Sequence, residues 1–253
     1  MAEVREEKIE IPMNGGQAEA VLFRPDGAGP FPGVLHLSDI WGIRPDRKAM
    51  AARQAKEGYV VLLPNVFWRD TRLPVFDFTP QFGEEKTMKR IGELFAALLP
   101  AQMSEDAGIY LDYLARLPGV KPGGLGVVGY CFTGAMAIRA AAARPDTVAI
   151  AASFHGGGLY SETPESPHTV LSGVKGRLYT GHAKEDRSMP ADAIVKFEAA
   201  LKAWGGRYES ETYDALHGWT VPSAPIYHEA EAERAHAKLL ALFRAELQVV
   251  PRY

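Results

Sequence analysis

The most constraining feature of this chain is a run of eleven residues around its only cysteine. Gly124-Leu125-Gly126-Val127-Val128 has the composition of a strand buried on both faces. It leads into Gly129-Tyr130-Cys131-Phe132-Thr133-Gly134, and a small-residue helical pattern, Ala135-Met136-Ala137-Ile138, leads out. Strand, sharp turn with a nucleophile between glycines, then helix is the pattern of a nucleophile elbow. The turn forces an unfavourable backbone conformation on the nucleophile, and the flanking glycines remove the side chains that would collide with it. A buried thiol at a strand end is the competing reading, because free cysteine is among the most buried residue types. The rest of the chain decides between the two.

Strand and helix patterns alternate along the chain. Strands are predicted at Lys8–Met13, Gln17–Arg24, Gly33–Leu37, Tyr59–Pro64, Gly124–Val128, Thr147–Phe154, Gly176–Tyr179 and Arg207–Tyr213. Helical spacing covers Arg47–Lys56, Glu85–Leu99, Ser104–Leu117, Ala191–Trp204 and His228–Leu247, with Ser104-Glu105-Asp106 as the cap region of the third. Asn14-Gly15-Gly16 marks a hairpin between the first two strands. Such alternation predicts an α/β fold with a mostly parallel sheet covered on both faces, antiparallel only at the N-terminal hairpin. At 253 residues, with 47% hydrophobic residues and no low-complexity linker, residues 1–253 are expected to form one domain. The aromatic, Asp- and Pro-rich stretch Asn65–Gly83 is long for a connection, as functional loops are.

Composition narrows the function. Net charge is −3, with Lys and Arg dispersed, so neither nucleic acid nor anionic lipid is an expected partner. No apolar run approaches the ~20 residues that span a bilayer. The charged start Met1-Ala2-Glu3-Val4-Arg5-Glu6-Glu7-Lys8 has no secretory core, and a lone thiol fits a reducing compartment, so a cytoplasmic protein is expected. One cysteine excludes an internal disulfide and any multi-cysteine metal site.

Cys131, Asp186 and His217 each follow a predicted strand, and sites in open α/β sheets form at the carboxyl ends of strands. Their order along the chain, nucleophile, acid, histidine, is that of the α/β-hydrolases. The chemistry is consistent. An imidazole can take the proton of a thiol and return it to a leaving group, while a carboxylate on the other ring nitrogen holds the tautomer. Glu185 competes with Asp186 for that last role, and His217 before Gly218 could equally serve only a tight turn.

At this point the chain resembles the dienelactone hydrolase family. Gly129-Tyr130-Cys131-Phe132-Thr133-Gly134, Glu185-Asp186-Arg187-Ser188-Met189-Pro190 and Leu216-His217-Gly218-Trp219 look like that family's three motif blocks, and Asp39-Ile40-Trp41-Gly42 is similar to its Glu-Ile-Phe-Gly. The resemblance covers nearly the whole chain. It implies an α/β-hydrolase fold, no cofactor or metal, and an ester or lactone as the small-molecule substrate. It implies Cys131, His217 and Asp186 as the triad, with the backbone N–H groups of Phe132 and Ile40 as the oxyanion hole. Three departures stand out. Thr133 replaces a usual Gly. Asp39, one methylene shorter than the family's Glu, would be the second acid near the thiol. Val221 stands where the family has an Arg that holds a substrate carboxylate, which turns the expectation toward neutral, bulkier substrates. Lys89 and Arg90 could substitute for that Arg or be ordinary helix charges. Trp41, Trp219 and His155 are further candidates for the substrate wall. A thioesterase or general carboxylesterase on the same triad, and a non-catalytic ligand-binding relative, remain alternatives.

Overall fold

A computed structural model describes residues 3–247; Met1 and Ala2 of the charged N-terminal stretch lie outside the described residues. Its spine is an eight-stranded sheet in the order β1-β2-β4-β3-β5-β6-β7-β8. Strands β1 (Val4–Met13) and β2 (Gly16–Pro25) form the antiparallel hairpin, in a register running from Met13 opposite Gly16 to Val4 opposite Pro25. β2 runs antiparallel to β4 (Val60–Pro64). From there β3 (Gly33–His36), β5 (Leu125–Tyr130), β6 (Val148–Phe154), β7 (Arg177–Ala183) and β8 (Tyr208–Tyr213) are joined by parallel pairing.

The continuous apolar runs are the central strands: every residue of β3, β4 and β5 is buried. Side chains alternate between two cores. Leu125 and Val127 of β5 join the layer beneath α2 (Glu85–Ala96), α3 (Pro100–Arg116), α4 (Thr133–Ala143) and α5 (Ala191–Trp204). Val128 and Tyr130 face α1 (Pro45–Lys56) and α6 (Glu229–Leu247). Each fully buried Leu or Phe in these layers contributes about 1.5–3 kcal/mol of transfer free energy.

Several boundaries differ from the sequence pattern: β1 begins at Val4 rather than Lys8, β7 runs to Ala183 rather than Tyr179, α1 starts at Pro45 rather than Arg47, and two helix ends have a clear cause. The helix expected to run to Leu99 stops at Ala96, because Pro100 disfavours helical backbone at the residue before it. The next helix then begins at Pro100 rather than at Ser104. Proline lacks the N–H that the first turn could not pair anyway, and Ser104, one turn in, donates its Oγ–H back to the Pro100 carbonyl at 3.1 Å.

The strand order places the site. β3 is followed by β4 on one side of it and by β5 on the other, so the loops after β3 and β5 diverge from adjacent strand ends. That crevice is the topological switch point, where an open α/β sheet receives its ligands.

Candidate active site

Cys131 directly follows β5 with φ at 59°, in the left-handed region. For a residue with a Cβ that conformation costs about 1–2 kcal/mol. Local bonds hold it. The Cys131 N–H is shared between the Phe154 carbonyl (3.2 Å) and Nδ1 of His155 (3.0 Å), and the Cys131 carbonyl accepts from the N–H groups of Gly134 (3.0 Å) and Gly157 (3.2 Å). The two glycines of the motif are steric necessities. A Cβ on Gly129 would sit 2.1 Å from the Thr133 carbonyl oxygen, and one on Gly134 2.2 Å from Oγ of Ser153. Thr133 fits where a glycine was expected because its hydroxyl is used: it accepts from the Tyr130 N–H (2.9 Å) and donates to the Tyr130 carbonyl (2.8 Å). The thiol itself is partly exposed.

His217 lies in the loop after β8, with a side chain 30% exposed and so open to a ligand. Its Nδ1 donates to Oδ2 of Asp186 at 2.6 Å, and the side chain of Cys131 is near enough to act on the ring's charge. Burial disfavours the imidazolium, but the bond to Asp186 and the influence of the Asp186 and Cys131 side chains outweigh it, and the His217 pKa is pushed up to about 10. Oδ1 of Asp186 accepts from both the N–H (2.8 Å) and the Oγ–H (2.7 Å) of Ser188. Burial would raise the Asp186 pKa; the bond to His217, its charge and the Ser188 donors hold it below the usual carboxylate range. Glu185, the sequence rival, is exposed, while Asp186 is buried and faces the imidazole.

Across the crevice, the loop after β3 brings up Asp39-Ile40-Trp41. Among the described residues, neither the Ile40 nor the Phe132 backbone N–H has a hydrogen-bond partner in the protein. Two unpartnered donors beside a nucleophile suit a developing oxyanion. Asp39, expected as a second acid near the thiol, spends its carboxylate on two arginines. Arg44 reaches both of its oxygens (2.6 and 2.9 Å), and Arg47 grips Oδ2 through Nη2 (2.6 Å) and Nε (3.2 Å). The Trp41 N–H adds a fifth bond at 3.1 Å. Burial alone would raise the Asp39 pKa, yet the two guanidinium groups drive it well below the usual range. Arg47 is fully buried, with its guanidinium 4.4 Å from the Tyr130 ring centroid. With a shorter arm than Glu, this acid ties the oxyanion loop to α1.

The expected wall residues divide. Trp41 is at the mouth, with ring centroids 5.6 Å from Phe76 and 6.4 Å from Phe82. Trp219 is not on the wall: it is fully buried, stacked on Tyr213 at 4.7 Å. His155 is also buried, at 1% exposure, with both ring nitrogens bonded to protein. Val221 is buried in the loop after His217. Arg90 forms an ion pair with Asp70 at 2.7 Å, and Lys89 is exposed on α2.

The sequence did not single out Arg44, Arg47, Ser188, Thr220 or Phe95. Ser188 had a usable signal, a hydroxyl two residues past the acid, where short polar side chains turn back on the backbone. The two arginines lie on either side of the helix-starting Pro45, at the spacing that wraps a helix N-terminus around an anion. Phe95 meets Phe132 edge-on at 5.5 Å, a contact between distant segments with no local signal.

Comparison with known proteins agrees with this architecture. The sequence profile of the dienelactone hydrolase family matches residues 18–247. A Synechocystis sp. protein provisionally named a carboxymethylenebutenolidase is 30% identical over 246 residues, covering 95% of this chain and 96% of the relative. Among solved structures, a Klebsiella pneumoniae protein provisionally described as a dienelactone hydrolase superposes with a TM-score of 0.84 at 23% identity, covering 95% of this chain and 98% of that one. A metagenomic protein titled a dienelactone hydrolase-like promiscuous phosphotriesterase superposes at 0.77, with 18% identity, 96% of this chain and 98% of that one. With an eight-stranded α/β-hydrolase sheet and a family profile matched over nearly its whole length, the chain belongs to the dienelactone hydrolase family, hydrolases that act on ester bonds.

Proposed function

We propose that the protein cleaves a carboxylic ester or lactone through a Cys131–His217–Asp186 triad. The observation that carries this reading is the 2.6 Å bond of His217 to the buried Asp186, together with Cys131 in a left-handed turn at the open edge of the sheet. In the proposed reaction the thiol proton passes to His217 before attack, the raised pKa keeping it there as imidazolium, and Sγ attacks the acyl carbon as the thiolate. The carbonyl oxygen becomes an oxyanion between the N–H groups of Ile40 and Phe132. The C–O bond breaks, and the imidazolium gives its proton to the departing alkoxide. A water then attacks the thioester, His217 takes its proton, and the acid departs as the thiol is restored. Asp186 stays ionised and holds Nδ1–H toward itself throughout.

Neutral, apolar substrates are the proposed preference. Arg44 and Arg47 are committed to Asp39, Arg90 to Asp70, and Val221 offers only methyl groups. Of the six exposed large hydrophobic side chains among the described residues, Phe82, Met88, Phe95 and Leu99 cluster in one segment, and Leu216 precedes His217. A panel of esters, lactones and thioesters assayed with wild type, Cys131→Ala and Cys131→Ser tests both statements. Turnover that disappears with Cys131→Ala, and a kcat/KM at least about tenfold higher for neutral aryl or medium-chain esters than for a small anionic lactone, are expected. Residual activity above a few per cent in Cys131→Ala would remove the nucleophile assignment. A thioester as best substrate would move the reading to a thioesterase.

A further inference from the structure

Buried under the thiol is a second histidine that the proposed reaction does not use. His155 follows β6 with φ at 39°, unusual for a residue that is not glycine. It is anchored on three sides. Its backbone N–H donates to the Gly181 carbonyl at the end of β7 (2.8 Å). Its Nδ1 accepts the Cys131 N–H (3.0 Å), and Nε2 lies 2.9 Å from Oγ1 of Thr220. An Nδ1 that accepts from a backbone amide carries no proton, so the neutral ring has its hydrogen on Nε2 and donates it to Thr220. Thr220 is three residues beyond His217 in the same loop, where consecutive turns close from the Trp219 N–H to the Leu216 carbonyl (3.1 Å) and from the Val221 N–H to the Gly218 carbonyl (3.1 Å). The His155 ring also packs edge-on against His217 and Trp219, each with centroids 5.0 Å away.

We propose that His155 is a positioning residue, a brace joining the backbone of the nucleophile to the loop that carries the base. Cys131 and His217 are thereby connected twice. One link is the influence of the Cys131 side chain on the imidazole at the exposed face. The other is the buried path Cys131 N–H, His155, Thr220, which fixes the aim of Sγ and the distance across which the proton moves. His155 is not itself an acid or base for substrate, because both nitrogens are occupied and it is 1% exposed. Without it the Cys131 N–H keeps only the longer bond to the Phe154 carbonyl. Misplacement of a reacting group by about 1 Å is enough to cost on the order of 100-fold in rate.

The role rests on the proposed nucleophile and base, but its geometry can be read without substrate. Cys131 is the only cysteine, so alkylation by iodoacetamide reports that thiol alone. The test compares His155→Leu, His155→Asn, Thr220→Val and the His155→Leu/Thr220→Val double variant. Leu fills the ring's space without an acceptor. Asn places Oδ1 where Nδ1 was and tolerates a positive φ. For His155→Leu we expect kcat to fall by about 30- to 100-fold with KM within about threefold, and alkylation to slow by about tenfold or more, its pH profile displaced from wild type. His155→Asn recovers most of both losses. Thr220→Val costs about three- to tenfold in kcat alone and nothing further beside His155→Leu, as partners in one path require. Equal impairment of the Leu and Asn variants, an additive Thr220→Val, a loss confined to KM, or wild-type alkylation of His155→Leu would each overturn the brace. Activity surviving Cys131→Ala would instead overturn the triad, while the alkylation results would still decide how His155 holds the thiol.

Discussion

The floor beneath Cys131 and the mouth above it are built by opposite means. The floor is polar and buried. Asp39 receives five hydrogen bonds, Asp186 three, and the Thr133 and His155 side chains are bonded to the elbow itself. The mouth is apolar and open, with Phe82 77% exposed and Phe95 46%. Directional bonds between desolvated groups tolerate little displacement, because each unpaired group costs its full desolvation. Apolar contact has no direction and accepts many shapes. Under the proposed function the difference separates machinery from recognition: the floor would set whether the reaction occurs, and the mouth which substrate it occurs on.

Substitutions should break this contrast in a definite order. The largest losses belong to Cys131→Ala and His217→Ala, which should lower kcat by about 10⁴-fold or more, with Asp186→Asn somewhat milder. Asp186→Asn also removes the charge and bond that raise His217. The alkaline limb of its pH–rate profile should therefore move to lower pH than in wild type, and a limb that stays put would detach Asp186 from the histidine.

Next comes Arg47→Met. It leaves Asp39 buried with one guanidinium instead of two, and breaking a buried pair costs about 3–5 kcal/mol. The sign with pH follows from the lowered pKa. The stability that Asp39 contributes is complete above its ordinary value of about 3.9 and lost as pH falls below it. Weakening the clamp raises that pKa toward the unfolded value, so the urea midpoint of Arg47→Met should start lower, fall less as the pH drops below about 4, and level off at a higher pH than that of wild type. Parallel curves would show that Arg44 alone suffices.

At the mouth the effects should be smaller and selective. Phe95→Ser is expected to lower kcat/KM about three- to tenfold for bulky aryl esters and scarcely at all for acetates. An equal loss on both would place Phe95 in the floor, through its contact with Phe132. Smallest of all, Lys89→Ala should change KM less than about twofold, with no dependence on ionic strength. A salt-sensitive KM would restore an anionic substrate.

What was legible in the sequence divides along the same line. The elbow was readable because its signals are local: a buried strand, two close-packed glycines and a small-residue helix. His217 and Asp186 were readable because each follows a strand, and strand ends share one edge. The partners of these residues were not. Asp39 is held by side chains from the first turn of α1, so its surroundings depend on how that helix docks. Trp219 sits beside the motif histidine and was expected on the wall, but alternation cannot tell in from out in a loop, and this loop turns the indole inward onto Tyr213. The contact of Phe95 with Phe132 needed the docking of α2, which no periodicity encodes.

The left-handed residues can be followed one step further. Among the described residues three without glycine's freedom adopt positive φ: Cys131 and His155 directly after β5 and β6, and Glu185 two residues after β7. A redesign for heat tolerance would single out such positions, since glycine or asparagine there removes a local conformational penalty of about 1–2 kcal/mol. Two of the three are closed to glycine because their side chains hold the thiol or are the thiol. Glu185 alone is exposed and separate from those bonds, so the row of strand ends leaves one position where thermal stability can be gained without loosening the nucleophile.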